Sequence, residues 1–154
     1  MTALEFWNEY LESTYQSAEQ ATYSGELVFE QNGLTGSEQL RLVKNNTKRA
    51  CFTLFDSFQI NMESIPVSGA TYIVEDFNEN PCCIIKVDDV KILEFNDISW
   101  PLAMLDGEDQ NLSEWRERTA ELFKEEADLC GFEFSGNSKI VCEIFHLIYS
   151  PKKN

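Results

Sequence analysis

Not one Lys or Arg occurs in the first forty residues of this chain, although it carries twelve in all against 27 Asp and Glu. A net charge of −15 excludes extended, sequence-indifferent binding to DNA or RNA, because that affinity comes mostly from neutralising phosphates with many cations. Histidine is nearly absent too, with His146 alone, which leaves little basis for a His-centred triad. The five cysteines, Cys51, Cys82, Cys83, Cys130 and Cys142, include no CxxC spacing and suggest neither a zinc site nor a disulfide framework. Reduced, mostly buried thiols are expected. No metal or other cofactor is called for. The N-terminus lacks a basic segment followed by an apolar one, and no apolar run approaches the ~18 residues of a membrane span. A cytoplasmic protein without membrane contact is the expectation.

Against this acidic background, Arg41, Lys44, Lys48 and Arg49 fall within nine positions, with no Asp or Glu until Asp56. Such local concentration suggests a small site for an anionic or strongly polar ligand, since the surrounding field repels anions elsewhere. At 154 residues and 43% hydrophobic, with eleven Phe and three Trp, the chain is long enough to bury one core and too aromatic to be disordered. A single domain over residues 1–154, with an N-terminal helical extension to about residue 35, is expected.

Thr2 with Glu5 makes a capping-box pair, and Leu4, Trp7 and Leu11 predict a first helix to about Ser17. Residues 18–34 are polar and Gly-punctuated around Leu27-Val28-Phe29, which predicts a connection with little regular structure. Thr35 with Glu38 repeats the capping signal for a short helix closed at Asn45-Asn46, because Asn tolerates left-handed backbone. Short apolar or β-branched runs then predict strands at Cys51–Phe55, Thr71–Phe77, Cys82–Val90 and Lys91–Phe95, with a hairpin loop at Asn78–Pro81. Asp97–Leu105 predicts a short helix or turn. Asn111 with Glu114 caps the longest helix, lined by Leu112, Trp115, Thr119, Leu122 and Phe123 and ending before Gly131. Alternation over Lys139–Tyr149 predicts a last strand.

The run Leu42-Val43-Lys44-Asn45-Asn46-Thr47-Lys48-Arg49-Ala50, then Gly69 ahead of Tyr72-Ile73-Val74-Glu75-Asp76, then Pro81-Cys82-Cys83-Ile84-Ile85, resembles the ASCH family of PUA-like domains. Gly107-Glu108-Asp109-Gln110-Asn111-Leu112-Ser113-Glu114-Trp115-Arg116 is similar to that family's acidic loop entering a Trp-bearing helix. Val141-Cys142-Glu143-Ile144-Phe145 resembles its last strand. The resemblance implies an α+β fold, a PUA-like β-barrel-type sheet of about five to six short strands flanked by helices. It also implies a cleft where the Lys-bearing turn faces the acidic loop. Its functional implication is binding of RNA, a nucleotide or a modified nucleoside there, the alternative being an acetylcytidine-type amidohydrolase or a ribonuclease. A protein-interaction module is a further alternative.

In the hydrolase subgroup of that family the catalytic set is a Lys, a Thr three residues later and a distant Glu, which fall here on Lys48, Cys51 and Glu108. Cys51 thus replaces the nucleophile. A thiol beside Lys48 and Arg49 is expected to have a lowered pKa and some thiolate character, with Glu108 orienting or deprotonating Lys48. The family pattern places Gly two residues before the Lys, and Glu and Arg three and five after it, where this chain has Asn46, Cys51 and Thr53. Asn46 can replace Gly if the turn needs a positive φ. Thr53 cannot replace a phosphate-binding Arg, so Arg41, Lys44 or Arg49 is asked to supply that charge. Trp115, Phe52 and Phe55 offer possible stacking faces, and Trp115 also lies on the apolar stripe. Trp100 is a candidate for the cleft edge. Asp106, Glu108 and Asp109 read as a solvated acidic loop rather than a metal site.

Overall fold

In the computed structural model, which describes residues 1–29 and 36–151, five strands form one sheet in the order β1-β3-β4-β5-β2. These are β1 (Gly25–Val28), β2 (Ala50–Leu54), β3 (Thr71–Glu75), β4 (Pro81–Glu94) and β5 (Lys139–Tyr149). The helices are α1 (Ala3–Ser13), α2 (Gly36–Lys44), α3 (Phe55–Ile60), α4 (Trp100–Ala103) and α5 (Leu112–Cys130). The class is α+β and the sheet curls into a half-barrel.

The sheet is antiparallel except where β1 runs parallel to β3. Its spine is the β4–β5 ladder. The sequence predicts two strands over Cys82–Phe95, but the chain stays extended through 14 residues and bends at a register shift between Val87 and Asp89. A bulge of this kind raises the local twist without ending the strand. β1 was not foreseen: four residues flanked by polar chain give too short a signal. Nor was α3, which follows β2 with no intervening turn residue.

The capping box of Thr2 and Glu5 is formed as expected, but α1 is rotated from its expected face. Leu4 is exposed, while Phe6, Trp7, Tyr10 and Leu11 pack against Ile73, Ile84 and Tyr149. Each such buried side chain contributes roughly 1.5–3 kcal/mol of transfer free energy. A second cluster joins Leu54, Ile140 and Cys142 of the sheet to Trp115 and Phe123 of α5. The third lies under α2 and gathers Phe29, Val43, Val74, Cys83, Ile85 and Phe145. Thr35, expected to cap α2, lies outside the described residues. At the far end α5 stops at Gly131, whose φ of 83° closes the helix in the left-handed region. No helix among the described residues is long and apolar enough to cross a membrane.

Candidate functional site

α2 ends in a turn that aims Lys48 inward. Asn46 adopts φ 64°, the conformation that lets it stand where the family has Gly, and the N–H groups of Thr47 and Lys48 both donate to the Leu42 carbonyl at 2.9 and 3.0 Å. Lys48 is thereby only 4% exposed. Opposite it, the short 3-10 turn Met104–Asp106 leads through Gly107 into the acidic loop before α5. A Cβ on Gly107 would sit 3.0 Å from the Thr47 carbonyl oxygen and 3.2 Å from Lys48 Cα, on a backbone with φ 80°. Only glycine combines that backbone with so close an approach. The Arg49 N–H donating to the Leu105 carbonyl at 2.6 Å clamps the two segments together.

Lys48 and Glu108 are therefore brought together as expected, with Nζ 3.5 Å from Oε2. The principal partner of Lys48, however, is Asp106. The ammonium makes a short hydrogen bond to Asp106 Oδ1 and another to the Asp106 carbonyl at 3.2 Å. Asp106 Oδ2 also accepts from Trp115 Nε1 and from Arg118 Nη2, each at 3.0 Å. Arg118 in turn holds Asp109 at 2.7 Å and lies 3.7 Å from Glu108 Oε2. The acidic loop is thus not a solvated one: two cations pair with three carboxylates, each of whose side chains is at most 9% exposed. Among the described residues no group of three or more His, Cys, Asp or Glu is arranged to hold a metal ion.

The protonation pattern follows from this packing. Burial works against the Lys48 ammonium, but Asp106 and its other anionic neighbours outweigh it and raise its pKa. Burial likewise opposes the Asp106 carboxylate, yet Lys48 and Arg118 hold it below the usual range. Glu108 goes the other way. Burial and the nearby Asp106 raise its pKa despite Lys48 and Arg118, and its buried Oε1 has no hydrogen-bond partner among the described residues.

Cys51 departs from expectation. Burial of the thiol pushes its pKa up to about 12, and Lys48 opposes this only in part. The lowered pKa expected from Lys48 and Arg49 is thus reversed, burial being the larger effect. Directly across the ladder from Cys51 is Glu143, a half-buried carboxyl pushed up to about 7 by burial.

A cavity of about 820 Å³ adjoins this cluster. Its walls include both edges of the sheet, Leu27–Phe29 at β1 and Cys51–Thr53 on β2, together with faces of α3 and α5. Lys48, Asp106 and Arg118 reach it. Glu108 stays behind them. Phe29, Phe52, Phe58 and Phe123 supply rings, and the Lys48 ammonium stands 5.8 Å from the centre of the Phe29 ring.

The basic cluster does not assemble here. Arg41 and Arg49 are exposed, and Lys44 lies by Cys83, so none of the three lines the cavity. The ligand-binding role expected of Trp115 is corrected as well. It is 0% exposed, stacked on Phe95 at 5.6 Å and edge-on to Phe52 at 5.0 Å, with no face left for a base. Trp100 packs against the same core cluster and does not line the cavity. Phe55 is capped by Lys139. His146 pairs with Asp88 at 2.8 Å on the surface. Sequence reasoning overlooked Arg118. Arg118 sits three residues past Trp115, and a cation so close to an apolar helical stripe is a signal for a buried partner.

The curled five-strand half-barrel flanked by helices matches ASCH/PUA-like structures. The chain belongs to the ASCH domain family, whose profile matches residues 25–149. It is similar to the ASCH domain from Lactobacillus crispatus JV V101, at 26% identity and a TM-score of 0.83, over 94% of this chain and 92% of that one. Protein EF3133 from Enterococcus faecalis V583 shares the fold at 24% identity and a TM-score of 0.77, over 93% of this chain and 85% of that one. No match is found among curated proteins.

Proposed function

We propose that the domain binds a nucleoside, a modified nucleoside or a single exposed RNA base in the cavity between β1 and β2. The observation that carries this reading is the cavity's composition. Its 820 Å³ lies within the ~300–1,000 Å³ of small-molecule sites, and its lining sets phenyl rings beside a fixed group of charged side chains. Phenyl rings along the walls suit the flat face of a heterocycle, and the Lys48, Asp106 and Arg118 cluster offers donors and acceptors to its edge. A net charge of −15 disfavours a long polyanion, so RNA would engage through a base rather than along its backbone.

The test is a thermal-shift screen with the four ribonucleosides, their base-acetylated and base-methylated derivatives, the 5′-monophosphates and short single-stranded RNAs. It is run on the wild type and on Phe29→Ala, which removes a wall of the cavity, each protein being read against its own ligand-free Tm. A ligand-dependent rise in Tm that Phe29→Ala diminishes is expected, since binding only the native state raises apparent stability. No rise with any compound refutes the reading.

A hydrolase using Lys48, Cys51 and Glu108 is the second reading. It is favoured by the 3.5 Å approach of Lys48 to Glu108 and by the position of Cys51 on the cavity wall. The thiol would attack a bound amide carbonyl and pass its proton to a neighbouring carboxylate, with the Lys48 ammonium stabilising the oxyanion. That proton would go to the amine as the C–N bond breaks, and water would then hydrolyse the thioester and restore the thiol. Glu143, opposite Cys51 in the ladder, is a carboxylate placed for that transfer. Turnover of the acetylated nucleosides, lost in Cys51→Ala, is the expected signature.

A further inference from the structure

Apart from the cavity, α1 and the segment leading into β1 enclose a groove of about 430 Å³. Its walls are mostly apolar: Leu4, Trp7 and Leu11 of α1 meet Ala21 and Tyr23, with Glu26 beside them. The Tyr23 ring stands edge-on to Trp7 at 5.2 Å, and its hydroxyl bonds to Glu26. The groove is open to solvent, Leu4 being 69% and Tyr23 44% exposed. An apolar patch rimmed by polar residues marks an interaction site, and here the rim has one sign. Leu4, Trp7 and Leu11 follow one row of the helix, and Glu5, Asn8 and Glu12 form the row next to it. Glu5, Glu12, Glu19 and Glu26 are all exposed. No Lys or Arg occurs before Arg41, and among the described residues no Lys or Arg lines the groove.

We propose that this groove docks a protein segment in which a large apolar side chain is flanked by lysines or arginines. The apolar side chain enters between α1 and Tyr23, and the flanking cations meet Glu5, Glu12 and Glu26. A helix rises 1.5 Å per residue, so Glu5 and Glu12 are separated by about 10 Å along the axis of α1. A partner that reaches both is therefore a chain of at least about three extended residues rather than a small molecule. A second copy of this protein, at net −15, would bring the same carboxylates against the rim, and an anionic lipid surface would be repelled in the same way. A cationic segment is the occupant whose charge complements the rim. The groove is independent of the nucleoside reading of the cavity. All of its lining except Glu26 precedes residues 25–149, the span of the family profile.

The test is selection from a random-peptide display library against the full chain, followed by fluorescence anisotropy with the enriched peptides made synthetically. Enriched sequences are expected to place Leu, Ile, Phe or Trp between Lys or Arg. Their affinity is expected to fall about tenfold or more when salt rises from about 50 mM to about 500 mM. Leu4→Ser changes an exposed side chain, so the ligand-free Tm is expected to stay close to that of the wild type while affinity drops about tenfold. Glu12→Lys combined with Glu26→Lys is expected to weaken binding by a similar factor and to remove most of its salt dependence. Both carboxylates are exposed, so this second variant keeps the test decisive if the first fails to fold. Enrichment of no sequence, or of acidic ones, overturns the proposal. So do peptides that bind both variants as tightly as the wild type. Self-association of the wild type that Leu4→Ser removes overturns it in favour of a second copy in the groove.

Discussion

Lys48 and Asp106, 58 residues apart in the chain, form an ion pair buried beneath the seam of the sheet. The pair ties the turn after α2 to the loop before α5, and it shares Asp106 with Trp115 and Arg118. Removing the cation leaves Arg118 as the one cation beside the buried Asp106 and Glu108 carboxylates among the described residues. Breaking one side of a buried pair costs about 3–5 kcal/mol, so Lys48→Met is expected to lower Tm by roughly 6–20 °C in a domain of this size. The double variant with Asp106→Asn should recover part of the loss. Denaturant titration of the four members of that cycle measures the coupling.

Acid and neutral stability should depend on different carboxyls. The Asp106 pKa is lowered in the fold, so its contribution is present above the ordinary Asp value of about 3.9 and fades as pH falls through the depressed one. The deficit of Asp106→Asn is therefore largest at neutral pH and shrinks in acid. For Glu108 the sign is reversed. Its pKa is raised, so its contribution is full below the ordinary Glu value and is lost as pH rises through the folded one. Glu108→Gln should gain stability relative to wild type between pH 4 and pH 7, as read by urea midpoints at constant m.

Cys51 should behave as an inert thiol in the free protein. With its pKa pushed up to about 12, almost no thiolate is present at pH 7.5, and the thiolate is the reactive species. Iodoacetamide under native conditions is expected to leave Cys51 unmodified by peptide mass spectrometry, with full labelling after denaturation. Rapid native labelling at Cys51 would contradict this protonation state and strengthen the hydrolase reading.

Gly107→Ala tests how closely the two halves of the cluster must approach. The left-handed backbone and the 3.0 Å contact with the Thr47 carbonyl together are expected to cost on the order of 1–3 kcal/mol. The clash falls on the main chain next to Lys48, so nucleoside affinity should fall along with stability. Gly131→Ala, where an added Cβ meets nothing within 4 Å, is the control for backbone conformation alone.

Local signals written in adjacent residues were the legible part of this sequence. The capping pairs of α1 and α5, the left-handed Asn46 and the final strand each depend on contacts within a few residues, and the family resemblance supplied the meeting of Lys48 with Glu108. The rest depends on the sheet's curl. A four-residue strand such as β1 is stabilised by its partner rather than by its own pattern. The face of α1 is decided by Ile73 and Ile84, more than fifty residues away. Clustering of Arg41, Lys44, Lys48 and Arg49 in sequence suggested a common site, but the turn after α2 sends one of the four inward and leaves Arg41 and Arg49 in solvent. Asp106 became the partner of Lys48 because Gly107 lets the loop backbone come within contact of the turn.

The two outermost strands of the sheet differ in how firmly they are anchored. β2 is laddered over five residues to the long β5, whereas β1 is held by four parallel rungs to β3. With fewer rungs on its single partner, β1 is the edge expected to exchange its amide hydrogens first, ahead of β2 and of the β4–β5 spine. Local stability in this sheet therefore rises from β1 inward rather than being shared evenly among the five strands.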